Sequence, residues 1–205
     1  MDKKRIVIKV GTSTLTYENG KINYRRIEKL CKVLSDLQNQ GNKIVLVSSG
    51  AIGIGVGKMG LKERPTKTKE KQAMAAVGQC ELMFMYDKLF GEYNHTVAQI
   101  LLTKYAVKTK HKRQNVINAM ETLLDMDVIP IINENDTVAI DELEGENIGD
   151  NDMLSAIVAK LVSADKLIIL TDIDGLYDKN PRTNPDAKKI DVVEEVTEEI
   201  LSMAK

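Results

Sequence analysis

The amino-acid sequence predicts an α/β fold in which helices cover both faces of a mainly parallel sheet. Short runs of aliphatic residues alternate along the 205-residue chain with longer segments whose apolar residues recur at helical spacing. A repeated strand–helix–strand order is typical of parallel strands joined by crossover helices. Small polar residues follow several of the aliphatic runs, and this places candidate ligand-binding groups at one edge of the sheet.

Five aliphatic runs are predicted as strands because they are rich in Val, Ile and Leu and are too short for buried helices. They are RIVIKV from Arg5, KIVLV from Lys43, TVAQILL from Thr96, VIPII from Val128 and KLIIL from Lys166. Runs with so few polar residues are typical of strands that are buried on both faces.

Helical patterns separate these strands. Asn23 can cap a helix with its side chain, apolar residues then recur at helical spacing as far as Leu37, and the pattern ends near Gly41. Further helices are predicted over residues 70–90, 115–124 and 152–161, and the final stretch EEVTEEILSMAK also favours a helix. The segment TVAIDELEGENI, residues 137–148, alternates about a Glu-Gly pair and predicts a solvent-facing hairpin.

The composition argues against several classes of function. A formal net charge of -1 gives no general attraction to nucleic acid or to an acidic membrane surface. Cys31 and Cys80 are far apart and lack the spacing of a disulfide framework or a zinc site, and the two histidines lie in separate segments. We expect a cytoplasmic protein, because no apolar stretch has the length of a signal peptide or a membrane span.

Four of the predicted strands are followed by residues that can bind phosphate or carboxylate groups. KVGTSTL, SSGAIGIG, NENDT and TDIDG follow the first, second, fourth and fifth strands. Gly, Ser, Thr and Asn at such positions expose backbone N–H groups and hydroxyls. Ordinary turns need the same residue types, so a single strand end of this kind would not indicate a ligand site. Four such ends together, with Lys9 inside the first strand, favour a site that handles phosphate.

Three well-known motifs do not fit the chain. The pair Gly57-Lys58 is not followed by the Ser or Thr of a Walker A loop. A G-x-G-x-x-G pattern at 55–60 lies well past the end of the second strand, whereas a dinucleotide site needs it directly at the strand-to-helix turn. An EF-hand loop that started at Asp150 would need glycine where Ser155 stands.

Seven longer motifs occur in a fixed order: IVIKVGTSTLT, VLVSSGAIGIG, KQAMAAVGQ, AQILLT, IPIINENDTVA, GDNDMLSAIVA and LTDIDGLYDKNPRTNPDAKKI. Together they resemble the glutamate 5-kinases of the amino-acid kinase superfamily, over essentially the whole chain. The strand-Lys-x-Gly start is shared widely in the superfamily. INENDTVA followed by GDND is more specific to the glutamate 5-kinases.

The resemblance implies a three-layer αβα sandwich with a mainly parallel central sheet, the amino-acid kinase fold. It implies an amino-acid-binding part over residues 1–164 and the start of an ATP-binding part over residues 165–205. The implied reaction uses ATP and Mg²⁺ to phosphorylate the γ-carboxylate of L-glutamate to L-glutamyl 5-phosphate, the first step of proline biosynthesis. The implied partners are further copies of the chain and glutamate-5-semialdehyde dehydrogenase, with no nucleic acid and no membrane.

The resemblance also implies roles for individual residues. Lys9 would contact the transferring phosphoryl group, and Asp152 would organise the catalytic lysines. The glutamate-binding residues would be Ser49, Gly50, Asn133, Asp136, Asp150 and Asn151. The nucleotide-binding residues would be Lys9, Gly11, Thr12, Ser13, Thr171, Asp172 and Tyr177. No side chain is assigned as a metal ligand. The hairpin carboxylates are expected to face water instead: Asp141, Glu142, Glu144 and Glu146.

Three of these assignments have a structural alternative that the sequence leaves open. Lys9 could be an exposed strand lysine, and Ser49 and Gly50 could form a turn that only ends a strand. Asp152 could cap the helix that follows it.

Two other functions also remain open. One is another member of the superfamily, acting on acetylglutamate, aspartate or UMP. The other is a non-catalytic module that binds glutamate or proline. The family pattern continues with a glycine-rich segment that ends in a second catalytic lysine, and many members add a C-terminal PUA domain. Neither follows in these residues, so we expect little kinase activity from this chain alone.

Overall fold

The structure, a computed structural model, describes residues 3–17, 21–139 and 151–203. The chain divides into two compact units, Met1–Leu170 and Thr171–Lys205. The first unit contains the central sheet and the helices that pack on it. The second contains a short two-stranded sheet and one helix.

The central sheet of the first unit has five parallel strands in the order β3-β4-β2-β1-β5. Its strands are β1 Arg5–Val10, β2 Lys43–Ser48, β3 Val97–Leu102, β4 Ile129–Glu134 and β5 Lys166–Leu170. All five predicted strands are confirmed, and so is their parallel arrangement. Because the strands are parallel, the polar segments after β4, β2 and β1 lie beside one another at the same edge.

Seven helices are described in the first unit. They are α1 Thr12–Leu15, α2 Tyr24–Asn39, α3 Ala51–Lys58, α4 Thr68–Gly91, α5 Lys104–Lys108, α6 Lys110–Asp125 and α7 Asn151–Leu161. Asn23 caps α2 as predicted, because its side chain accepts a hydrogen bond from the backbone N–H of Arg26 at 3.2 Å. The short helices α1, α3 and α5 were not predicted.

Alternate residues of the strands pack into two separate apolar cores, one on each face of the sheet. On one face, Ile6, Ile8 and Val10 of β1 pack with residues of α2 and α4. On the other face, Val7 packs with residues of α6 and α7, among them Leu154. A sheet between two helical layers is the predicted three-layer αβα arrangement. Strand alternation places Lys9 on the same face as Val7, the face that α7 covers.

Helices α3 and α4 cross at two glycines. A Cβ atom at Gly78 would lie 1.7 Å from the carbonyl oxygen of Ala51, and one at Gly55 would lie 2.0 Å from the carbonyl oxygen of Met74. No side chain fits at either place, so the close crossing requires glycine. Within the G-x-G-x-x-G pattern at 55–60, Gly55 therefore has a packing role inside α3.

The second unit is held together by local polar contacts. Strands β6 Leu176–Tyr177 and β7 Lys189–Ile190 pair antiparallel, and α8 spans Glu198–Met203 within the predicted C-terminal helix. Lys179 and Lys189 form ion pairs with Asp186 and Asp174, at 2.5 and 3.0 Å.

Two further observations bear on the sequence predictions. The predicted hairpin at 137–148 lies mostly outside the described residues, and only its first residues, in a turn after β4, can be placed. Among the residues that the structure places, no helix has both the length and the apolar character needed to cross a membrane.

Candidate active site

The candidate site lies at the carboxyl edge of the central sheet, where β4, β2 and β1 end side by side. Each of these strands is followed by one of the polar segments found in the sequence. The first residues of α7 lie against the same edge, because Asn151 donates a hydrogen bond to the backbone carbonyl of Ser48 at the end of β2. The strand order therefore brings together residues that are distant in the sequence.

Lys9 places a cation inside this edge. Its side chain is only 6% exposed, and its Nζ lies 2.7 Å from Oδ1 of Asp152 in the first turn of α7. A buried ammonium needs a close carboxylate to offset its lost hydration. Asp152 also lies at the helix end where a negative charge is favoured. The alternative of an exposed strand lysine is therefore wrong.

The segment after β1 turns tightly next to Lys9. A Cβ atom at Gly11 would lie 3.5 Å from Nζ of Lys9 and 3.9 Å from Oγ of Ser13. Backbone at Gly11 thus runs close to the ammonium group. Thr12 is half-buried and Ser13 is exposed. This combination offers hydroxyl and backbone groups beside a cation, which suits an anionic ligand.

The segment after β2 forms a second tight turn. Ser49 is buried, and Gly50 has φ 92°, a left-handed conformation that favours glycine, immediately before α3 begins. A Cβ atom at Gly50 would lie 3.2 Å from the Thr12 methyl carbon. The turns after β1 and β2 are thus in contact with each other.

Asn151 joins the turn after β2 to the end of β4. Its Nδ2 lies 3.0 Å from the carbonyl oxygen of Ser48, 2.6 Å from Oγ of Ser49 and 3.3 Å from Oδ1 of Asn133. Asn133 is buried, and its Oδ1 also accepts a bond from the backbone N–H of Glu134 at 2.9 Å. Three of the predicted glutamate ligands therefore form one hydrogen-bonded group.

Helix α4 supports this group with two side chains that the sequence analysis did not identify. Asn133 Nδ2 donates to Oε1 of Gln79 at 2.9 Å, and the Tyr86 hydroxyl lies 2.9 Å from Oγ of Ser48. Burial raises the pKa of Tyr86 above its ordinary value, so this hydroxyl stays protonated. One signal for Gln79 was available in the sequence, because this glutamine directly follows the run AMAAVG, which has no polar side chain.

One further predicted glutamate ligand follows β4. Asp136 is half-buried in the turn that follows the strand. Asp150 lies outside the described residues, as do the four hairpin carboxylates. Glu134, at the end of β4, is buried and was not identified from the sequence.

The predicted nucleotide residues of the second unit have local partners. The Thr171 hydroxyl donates to Asp172 at 3.3 Å, and the Asp172 carboxylate pairs with Arg182, which lowers the pKa of Asp172. The hydroxyl of Tyr177 donates to Asp174 at 2.8 Å, and this bond raises the pKa of Tyr177.

A protein-held metal centre was not predicted. Within 3–17, 21–139 and 151–203, no group of three or more His, Cys, Asp or Glu side chains is placed to hold a metal ion.

Sequence comparison identifies close relatives. A family model described as the amino acid kinase family matches residues 4–204. The glutamate 5-kinase of Clostridium perfringens is 60% identical over 200 residues, which cover 97% of this chain and 74% of that protein. The glutamate 5-kinase of Listeria innocua is 57% identical over 204 residues, covering 99% of this chain and 74% of that protein.

Structural comparison supports the fold. The crystal structure of UMP kinase from Ureaplasma parvum has a TM-score of 0.65 at 17% identity, and the match covers 100% of this chain and 81% of that one. The T. acidophilum isopentenyl phosphate kinase product complex has a TM-score of 0.59 at 19% identity, with 89% and 76% covered. At this level of identity the two likenesses show a shared fold and nothing about substrate.

Proposed function

Because the chain belongs to the amino acid kinase family and, within it, to the glutamate 5-kinases, we propose that it phosphorylates the γ-carboxylate of L-glutamate with Mg²⁺-ATP. The product would be L-glutamyl 5-phosphate, the first intermediate of proline biosynthesis. The observation that supports this assignment most directly is the pair of neighbours Asn151 and Asp152. Asn151 donates a hydrogen bond to Ser49, a proposed glutamate ligand, and Asp152 forms an ion pair with Lys9, the proposed phosphoryl contact.

The chemistry requires a cation more than a base. The γ-carboxylate of glutamate has an ordinary pKa of about 4.3, so it is ionised at neutral pH and can attack without losing a proton. The difficulty is the approach of one anion to another. At a separation of about 4 Å and an effective dielectric constant of about 20, each pair of like unit charges repels by ~4 kcal/mol. A preorganised ammonium at Lys9 would offset this repulsion as charge moves onto the phosphoryl oxygens.

Glutamate would lie against the hydrogen-bonded group formed by Ser49, Asn133 and Asn151, with Gly50, Asp136 and Asp150 as further ligands. A free amino acid presents an ammonium and two carboxylates, so its site needs both acceptors and donors. Asp136 and the amide oxygen of Asn151 are suitable acceptors. Hydroxyl and backbone N–H groups at the turn after β2 are suitable donors.

ATP would be held by Lys9 and by the turn that contains Gly11, Thr12 and Ser13. The proposed nucleotide contacts in the rest of the chain are Thr171, Asp172 and Tyr177. They belong to the start of the proposed ATP part, 165–205, which follows the proposed amino-acid part, 1–164. Mg²⁺ takes many of its ligands from phosphate oxygens and would supply further positive charge to the phosphoryl group. The ammonium and hydroxyl groups beside Gly11 fit a phosphate chain.

Other features of the family are proposed on the same basis. We expect the chain to form homo-oligomers in the cytoplasm. The acyl phosphate product is reactive, so an association with glutamate-5-semialdehyde dehydrogenase would shorten its path to reduction.

Calorimetry on the chain with L-glutamate, acetylglutamate, aspartate, UMP and proline tests the substrate. We expect glutamate to bind and Ser49→Ala to weaken it, while Lys4→Ala, at an exposed lysine before β1, leaves binding unchanged. Preference for another ligand of the panel would contradict the assignment. Hydroxylamine converts an acyl phosphate to a hydroxamate, so hydroxamate formed in the presence of Mg²⁺-ATP tests the reaction. Binding without hydroxamate would match the little kinase activity expected of this chain alone, and it would equally fit a non-catalytic glutamate-binding module.

A further inference from the structure

We propose that Gln79 is a positioning residue for the amino-acid substrate, acting through Asn133. This inference rests on the proposed function, because the residues that Gln79 supports are the proposed glutamate ligands. Gln79 lies on α4, outside the segments that follow the strands, and it is half-buried. Its Oε1 accepts a hydrogen bond from Asn133 Nδ2 at 2.9 Å.

The polarity of the hydrogen-bonded group is set by the backbone at both ends. The N–H of Glu134 can only donate, and it donates to Asn133 Oδ1 at 2.9 Å. The carbonyl oxygen of Ser48 can only accept, and it accepts from Asn151 Nδ2 at 3.0 Å. Asn133 must therefore point its amide oxygen toward Glu134 and Asn151, and its amide nitrogen toward α4. Gln79 supplies the acceptor that this orientation requires.

Burial makes that acceptor important. Asn133 is 2% exposed, so water cannot replace a missing partner at its amide nitrogen. Without Gln79, the Asn133 side chain would rotate to find another acceptor. Such a rotation would break the longest bond of the group, the 3.3 Å contact with Asn151. The disturbance would thus reach Asn151 and, through its 2.6 Å bond, the hydroxyl of Ser49.

The same polarity defines what the site presents to a ligand. Ser49 Oγ accepts its bond from Asn151, so the Ser49 O–H remains available to donate to a carboxylate. Asn151 uses its Nδ2 for protein contacts, so its Oδ1 is the atom suited to an ammonium. This pairing of one donor with one acceptor is complementary to an α-amino acid. Gln79 would therefore affect amino-acid affinity without touching the amino acid.

Three single variants and one double variant test the proposal by glutamate calorimetry. Gln79→Met keeps the length of the side chain and removes the acceptor, and we expect it to raise the Kd for glutamate about tenfold. Asn133→Leu removes the residue through which Gln79 acts, so the double variant should bind no more weakly than Asn133→Leu alone. Gln114→Met is the matched control, because Gln114 also bonds an asparagine, Asn118, at 2.9 Å but on the exposed surface of α6.

A ligand-free measurement makes the test independent of glutamate binding. The side-chain amide signals of Asn133 and Asn151 in ¹⁵N NMR should shift, and the amide protons should exchange faster, in Gln79→Met. Gln79→Glu retains an acceptor oxygen and should preserve the Asn133 signals whatever its charge does to affinity. It also provides a folded comparison if Gln79→Met does not fold.

The outcomes separate the two proposals. Unchanged Kd and unchanged Asn133 signals in Gln79→Met would overturn the role of Gln79, as would effects of Gln79→Met and Asn133→Leu that simply add. If the unsubstituted chain does not bind glutamate, the proposed function fails, and the NMR comparison still decides whether Gln79 holds Asn133.

Discussion

The ammonium of Lys9 lies 2.7 Å from the carboxylate of Asp152, which joins the end of β1 to the first turn of α7. Lys9 is buried, so its charge is not dispersed by water and its position is fixed by the strand. A fixed cation at the point where the phosphoryl group would transfer needs little rearrangement during the reaction.

Substitution of Lys9 should therefore affect turnover more than binding. In a form of the protein that carries out the reaction, we expect Lys9→Ala to lower kcat by ~10²–10³, the usual loss for one preorganised charge donor. Steady-state assays with glutamate and ATP would measure it. Lys4→Ala removes an exposed lysine of the same segment and should leave kcat unchanged. Normal turnover in Lys9→Ala would disprove the phosphoryl-contact role.

Substitution of Asp136 should show the opposite pattern. If Asp136 binds the ammonium of glutamate, Asp136→Ala removes a charge-assisted hydrogen bond worth ~1.5–3 kcal/mol and should raise KM for glutamate about 10- to 100-fold. The KM for ATP should stay within about twofold. Asp125→Ala, at an exposed aspartate that ends α6, is the control. An equal rise in both KM values would argue against a specific glutamate contact.

The crossing of α3 and α4 predicts opposite effects for two glycines of one helix. Gly78→Ala would force a Cβ atom against the carbonyl of Ala51, and we expect a loss of ~1–3 kcal/mol in the free energy of unfolding. Gly91→Ala has no atom within 4 Å of its new Cβ and should be neutral or stabilising by up to ~1 kcal/mol. Urea denaturation of the two variants and of the unsubstituted chain measures both changes in the free energy of unfolding. Tolerance of alanine at Gly78 would mean that the helices separate at little cost.

Because Cys31 and Tyr86 are buried, we expect the free energy of unfolding to fall at alkaline pH. Burial raises the pKa of the Cys31 thiol from 9.0 to about 12, and it raises the pKa of Tyr86 above 10.0. The folded protein then holds protons that the unfolded chain releases, so stability falls as pH rises above those ordinary values. Each group contributes up to ~1.4 kcal/mol per pH unit.

Tyr86→Phe separates the two contributions. At neutral pH it removes the bond to Ser48, and we expect a loss of ~1–2 kcal/mol in the free energy of unfolding. Above the ordinary pKa of tyrosine the variant no longer has the titrating group, so the gap to the unsubstituted chain should narrow. Urea denaturation at several pH values would show this. If the difference in the free energy of unfolding between the two proteins stayed constant with pH, Tyr86 would have the same pKa in the folded and the unfolded states.

The strands and the long helices were predictable because local pattern and tertiary structure agree there. Helix α6 begins at Lys110, five residues before the predicted start, because the basic run KHKRQN is helical without an apolar stripe. Helix α3 was missed because its glycines favour a turn by local propensity. Packing against α4 overrides that preference at Gly55.

The site was predictable in part. The carboxyl ends of parallel strands lie at one edge of a sheet, so the predicted parallel arrangement was sufficient to place Lys9, Ser49 and Asn133 at the same edge. Which strands are neighbours in the sheet was not predicted. The contact of Asn151 with Ser49 depends on how α7 packs, which the apolar pattern of that helix does not specify. Gln79 and Tyr86 lie on a helix between strands, and no spacing rule indicates which of its faces touches the carboxyl edge.

The strand order also affects how the protein is made. The strand that carries Lys9 lies between β2 and β5, and β5 is the last strand of the sheet to be translated. A ribosome therefore releases the first strand long before it releases the flanking strand and the helix that bears Asp152. The ion pair of Lys9 with Asp152 therefore cannot form until α7 has been translated.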